Sequence, residues 1–251
     1  MRFIVVFLVV LGSFGIAEDA DVTRFRELLR GGYYHSAAQL NGPELVRAHP
    51  GNPEAHFLFA QALFYAGDVE RADEQLAVAF SLRDETPGSY VALQGEIRAQ
   101  QGRLAEALDE LREAYRLDPS YEITMALGTV AWQMAEFEVA LEAFASAATT
   151  TRGKRELWPY LAAGRVQLAQ NELDAALELF TQAIEVFEEH DTGSSGLPSP
   201  GYVEAFYRLG QTYERQGDYT QAEVQYRAAR SSDPNYAPAI DGLDRLSRRF
   251  E

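Results

Sequence analysis

The sequence predicts an all-α fold of tandem helix-turn-helix repeats stacked into a solenoid. Two observations carry this. Large, small and turn-forming residues recur along the chain at an interval of about 34 residues. Between the turn signals, apolar residues fall at helical spacing. The pattern is fullest from Phe206 to Pro234, where Phe-Tyr-Arg-Leu-Gly-Gln-Thr-Tyr is followed by Gln-Gly-Asp-Tyr-Thr-Gln-Ala, then Tyr-Arg-Ala-Ala and Asp-Pro.

The first 17 residues read as a signal peptide. Arg2 supplies a positive start, Phe3 to Leu11 is an unbroken apolar run, and Gly15-Ile16-Ala17 offers small residues for cleavage. Cleavage after Ala17 makes Glu18 the first mature residue. The run is too short to span about 30 Å of hydrocarbon comfortably, so no transmembrane anchor is expected in the mature chain. An exported protein in the bacterial periplasm or outside the cell is the expectation.

Residues 18–251 form a single solenoid in this reading. Residues 18–52 make a degenerate first repeat. Val22, Phe25, Leu28 and Leu29 share one helical face, Gly31-Gly32 ends that helix, and Asn41-Gly42-Pro43 interrupts the next. Five regular units occupy 53–236. The first carries Ala60, Leu63, Gly67-Asp68, Ala72, Leu76 and Ala79, and the second carries Gly95, Gly102, Ala107, Leu111, Ala114 and Pro119. The third shows Leu127, Gly128, Phe137, Ala140, Phe144 and Ala147, and the fourth Gly164, Leu173, Ala176, Phe180 and Ala183. Pro159 belongs in the first turn of its helix, because deeper inside it would break a hydrogen bond. A Gly/Ser/Pro-rich loop is inserted near 188–202, before the fifth unit. Residues 237–251, with Ile240, Leu243 and Leu246 on one face and charges on the other, make a capping helix.

These residues, at these spacings, resemble the tetratricopeptide repeat (TPR) family. The resemblance implies two antiparallel helices per unit and a right-handed superhelical solenoid. Gly or Ala at the eighth position and Ala at the twentieth let the paired helices approach. Leu, Phe or Tyr at the twenty-fourth fills the space between layers. A hairpin buries only part of its apolar surface, so neighbours must stack to complete the core.

Composition narrows the function. The formal charge is −16, which disfavours phosphate backbones, so no nucleic acid is expected as a partner. There is no cysteine, which excludes disulfides, thiolate metal sites, cysteine nucleophiles and a lipid carried on cysteine. The four histidines are scattered without ligand spacing, and His56 sits where the repeat has a packing residue. Glu185, Glu188, Glu189 and Asp191 lack the spacing of a calcium loop and read as a solvated helix end. Ser194 and Ser195 have no His–Asp partner nearby and no phosphate-loop lysine. No catalytic residue, metal ligand or cofactor is expected.

In TPR proteins the first helices of successive units line a concave groove. The resemblance carries groove positions onto Phe57, Gln61, Phe64 and Tyr65 in the first unit, Glu96 in the second, and Met125, Thr129, Trp132 and Gln133 in the third. It adds Trp158, Leu161 and Arg165 in the fourth unit and Tyr207 and Gln211 in the fifth. The Lys and Asn of carboxylate-clamping TPR domains are missing from these positions. The aromatic content suits burial of an apolar or basic peptide segment of a protein partner. Alternatively the register slips by one, and these aromatics pack the core. The functional expectation is a non-catalytic interaction scaffold in a bacterial envelope complex. A self-assembling module, and more remotely an enzyme or metal-binding protein, are the alternatives.

Overall fold

The structure is a computed structural model that describes residues 20–190 and 199–249. The expected signal peptide and most of the insertion lie outside the described residues. Among the described residues the chain is helical and carries no strand. Packing divides it into two compact units, residues 1–84 and 85–251.

Among the described residues the first unit holds four helices. Helix α1 is Ala20–Arg30, α2 covers 34–48, α3 is Pro53–Tyr65 and α4 is Val69–Ser81. The break expected at Asn41-Gly42-Pro43 does not occur. A π turn at Ala37–Asn41 joins Tyr34–Ser36 to Gly42–Ala48 without leaving the helix. Pro43 has no N–H to give, and the wider turn just before it absorbs the lost bond. Helix α3 starts on an Asn52 cap, whose side chain accepts from Glu54 and Ala55 N–H at 3.0 and 3.4 Å. His56 is buried, its Nε2–H donating to the Pro50 carbonyl at 3.1 Å while Nδ1 meets the Gln75 amide at 2.9 Å. It is a satisfied packing residue, as its repeat position implied.

The second unit begins with two hairpins, α5 (Gly88–Gln100) with α6 (Leu104–Leu117) and α7 (Tyr121–Gln133) with α8 (Phe137–Thr149). Two more follow, α9 (Trp158–Ala169) with α10 (Leu173–His190) and α11 (Pro200–Gln216) with α12 (Tyr219–Ser232), before α13 (Ala237–Ser247). Consecutive helices pack on one another throughout the unit. Pro159 does fall in the first turn of α9. The insertion is shorter than expected, because α10 runs on to His190 and α11 starts at Pro200. Phe187 stacks on Tyr202 at 4.5 Å, and the Tyr202 hydroxyl donates to Glu188, so burial holds both extensions helical.

One device closes all five regular hairpins. In each, the residue one past the left-handed turn position reaches back to the preceding helix. The Asp68, Arg103, Glu136, Glu172 and Asp218 N–H groups donate to the carbonyls of Leu63, Arg98, Ala131, Gln167 and Tyr213 at 2.8–2.9 Å. Each turn needs one residue at positive φ. Gly67, Gly102 and Gly217 fill it in three hairpins, and Ala135 and Asn171 in the others.

The close approach within a hairpin is a matched pair. The eighth-position residue faces the twenty-fourth of the same hairpin, sixteen residues on. The pairs are Ala60 with Leu76, Gly95 with Leu111, Gly128 with Phe144, Gly164 with Phe180 and Gly210 with Tyr226. A Cβ on Gly128, Gly164 or Gly210 would meet the paired ring at 2.5–2.6 Å. An aromatic ring at the second position therefore requires glycine at the first. Tyr226 is also clasped from the far side by Gly242 of α13, and its hydroxyl donates to Glu214 at 2.6 Å. Arg245 of α13 closes that contact with bonds to Glu214 at 2.9 and 2.7 Å. Burial and the Glu214 carboxylate both hold the Tyr226 phenol far above its ordinary range.

Candidate functional site

In the second unit, the first helices α7, α9 and α11 pack side by side. They carry few charges: Glu122, Arg165, Glu204, Arg208, Glu214 and Arg215. Of their partners, α8 and α10 carry seven carboxylates and neither Lys nor Arg, while α12 carries Glu223, Arg227 and Arg230. Carboxylates without neighbouring cations are thus concentrated on α8 and α10. The first-helix face is aromatic and arginine-bearing.

A chain of contacts crosses that face. The Arg165 guanidinium lies over the Trp132 indole, 4.6 Å from the ring centroid. Its Nε is 3.8 Å from Glu204 Oε1. Glu204 is held by Arg208 through bonds of 2.9 and 2.8 Å. Arg208 donates to Gln211 Oε1 at 2.9 Å, and Gln211 donates to the Tyr207 hydroxyl at 2.8 Å. Tyr207 packs edge-on to Tyr236 at 5.7 Å and tilted on Tyr226 at 5.8 Å. Glu204, Arg208 and Tyr236 belong to this chain and were not among the expected groove residues. The run Glu204, Arg208, Gln211, Arg215 at helical spacing marks the stripe.

Other candidates divide sharply. Thr129 and Gln133 are exposed on α7, beside Trp132, and Met125 is half-buried. Leu161 is 1 % exposed and packs with Leu157, Phe180 and Ala205, so its side chain belongs to the core. Phe57 is likewise buried, because α1 and α2 cover α3. Gln61 and Phe64 are half-buried, while Tyr65 is exposed with its ring 4.9 Å from Tyr34 and 5.2 Å from Phe64. Trp158 has a setting of its own. It opens α9, about 10 Å along the helix from Arg165. Its ring lies against Gly201 and lines a cleft with Phe187 and His190.

Glu96, half-buried on α5, has no hydrogen-bond partner among the described residues. Desolvation pushes its carboxyl from 4.5 up to about 7. A carboxyl raised on folding destabilises the native state wherever it must ionise. The cost is complete above pH 7 and disappears as pH falls below 4.5. Glu96→Gln is therefore expected to stabilise by about 2 kcal/mol at pH 8. The gain should shrink to nothing by pH 4, read by urea unfolding at each pH. An equal gain at both ends would remove ionisation as the cause.

No group of three or more His, Cys, Asp or Glu among the described residues is placed to hold a metal ion. No helix among them is long and apolar enough to cross a membrane.

Comparison with known proteins agrees with this architecture. The family model described as tetratricopeptide repeat matches residues 58–122 and 161–237. No curated protein matches the chain in sequence. Among solved structures, YrrB, described as a TPR protein with an unusual peptide-binding site, is similar at 20% identity and a TM-score of 0.62, covering 81% of this chain and 97% of its own. PilW, described as a widely conserved type IV pilus biogenesis factor, is similar at 15% identity and a TM-score of 0.72, covering 89% and 96%. PilF of Pseudomonas aeruginosa is similar at 18% identity and a TM-score of 0.67, covering 89% and 95%. At these identities the structural likeness speaks to fold alone.

Proposed function

The chain belongs to the tetratricopeptide repeat family, whose fold serves as a protein–protein interaction scaffold, and from that premise we propose that it binds a peptide segment of a partner on the first-helix face of its second unit, without catalysis. One observation carries the reading. The face of α7, α9 and α11 holds half-buried aromatic rings, Trp132 and Tyr207, beside exposed polar positions and apart from the acidic helices α8 and α10. Amphipathic aromatic rings with a polar edge suit peptide recognition. An exported, cell-envelope setting is part of the proposal and rests on Arg2, the Phe3–Leu11 run and Ala17. PilW and PilF support such a setting only by sharing the fold.

Selection of a displayed random-peptide library on the whole protein tests the site. Thr129 is exposed on this face, and its replacement by Arg is expected to weaken selected peptides at least about tenfold with the melting temperature nearly unchanged. Glu142→Lys on α8 should leave binding intact. A library that yields no binder, or binders indifferent to Thr129→Arg, would count against the site.

A further inference from the structure

The chain finishes its outermost helices against solvent in two ways. The last helix, α13, turns Asp241, Asp244, Arg245 and Arg248 outward. Terminal repeats stay soluble by such a polar outer face. Helix α2, in the repeat that opens the array, departs from this. Its inner side is closed. Ala37, Ala38, Gly42 and Leu45 are buried, and a Cβ on Gly42 would meet the Phe59 ring of α3 at 2.1 Å. Its outer side carries Tyr33, Ser36 and Leu40, each about one turn from the next. Tyr33 is 61% exposed and Leu40 68%, the two most exposed large apolar side chains among the described residues.

Charge is missing from this surface. From Gly31 to Pro43 the sequence has no Asp, Glu, Lys or Arg, although the whole chain carries a formal charge of −16. The other exposed polar side chains of the stretch are His35, Gln39 and Asn41. That absence bears on what can cover it. Two copies of an acidic chain repel each other wherever their carboxylates approach, and a two-fold contact sets a patch against the same patch. An uncharged patch meets itself without that cost. A foreign partner is steered and selected through complementary charge, and this stretch offers none.

We propose that a second copy of this chain covers the outer side of α2, in a two-fold contact that buries Tyr33 and Leu40 of both copies. The contact belongs to the first unit and does not depend on the peptide site of the second. Its driving force is burial of apolar surface, opposed by the like charge of the two copies.

Sedimentation equilibrium of the purified protein over a range of concentrations tests this, with a monomer–dimer equilibrium as the expected result. Raising salt from about 0.05 M to about 0.5 M should tighten the dimer, because salt screens the repulsion and leaves the apolar contact in place. An association through opposite charges would loosen instead. Leu40→Glu and Tyr33→Glu should each weaken dimerisation at least about tenfold. Leu117→Glu and Val224→Glu add the same charge at apolar positions 51% exposed outside this stretch, and should leave it nearly unchanged. All four positions are exposed, and circular dichroism melting of each variant checks that it folds. A protein that stays monomeric at every concentration would overturn the proposal and leave the face to a foreign partner. A dimer that survives both α2 substitutions, loosens as salt is raised, or responds equally to Leu117→Glu would also overturn it.

Discussion

Replacing Phe144 with Ala is expected to cost the second unit about 3–5 kcal/mol of stability, near the top of the range for a single substitution. The ring is 1% exposed and fills the space between α7 and α8. It touches Gly128 on the opposing helix, and its neighbours in the core include Leu111, Leu127 and Val130. The cavity cannot be filled by a small local movement. Gly128 has no side chain to swing in, and Ala140, Ala143 and Ala147 along α8 have no rotamers to change. A site that cannot collapse keeps its void, and the cost follows the residual cavity. The loss should also be felt by the whole unit, since each hairpin completes its core against its neighbours. Urea unfolding followed by circular dichroism measures it. A loss under about 1 kcal/mol would mean that the α7–α8 contact is not as closed as Gly128 implies.

Why that contact was legible in the sequence, while the contacts across the first-helix face were not, follows from the range of the interactions. Gly128 and Phe144 recur with their counterparts at a fixed offset, so each hairpin repeats the message of the others. Leu161 and Phe57 went to the core because helices on both sides cover them, and that depends on packing rather than on position in the repeat. Trp132 and Arg165 are 33 residues apart, and their stacking exists only once α7 and α9 are side by side. Glu204 and Arg208 could have been read as an i, i+4 pair. With Gly210 as the eighth position, Glu204 is the second position of its repeat, while Arg208, at the sixth, lies between groove positions. Ala135 shows tertiary structure overriding local preference. Nothing in Met134-Ala135-Glu136 asks for positive φ, yet the hairpin imposes 61° there.

The matched pair in the fourth repeat gives a prediction whose sign depends on the partner. Gly164→Ala alone is expected to destabilise by about 1–3 kcal/mol. Its new methyl would sit 2.6 Å from the Phe180 ring, which is fully buried and has no free space to enter. Elsewhere in the chain the same offset pairs Ala60 with Leu76, both buried, so one hairpin of this kind carries the methyl opposite a leucine. Phe180→Leu should recreate that arrangement. In that background Gly164→Ala loses its clash and keeps the intrinsic advantage of Ala over Gly inside a helix, about 1 kcal/mol. The substitution should then be neutral or stabilising, although Phe180→Leu by itself is costly. A double-mutant cycle by urea unfolding should return a favourable coupling of about 2–3 kcal/mol between the two sites. That range is typical of residues in direct contact. Additivity within about 0.5 kcal/mol would show that Gly164 and Phe180 do not touch, and with it the eighth-to-twenty-fourth rule for all five hairpins would fall.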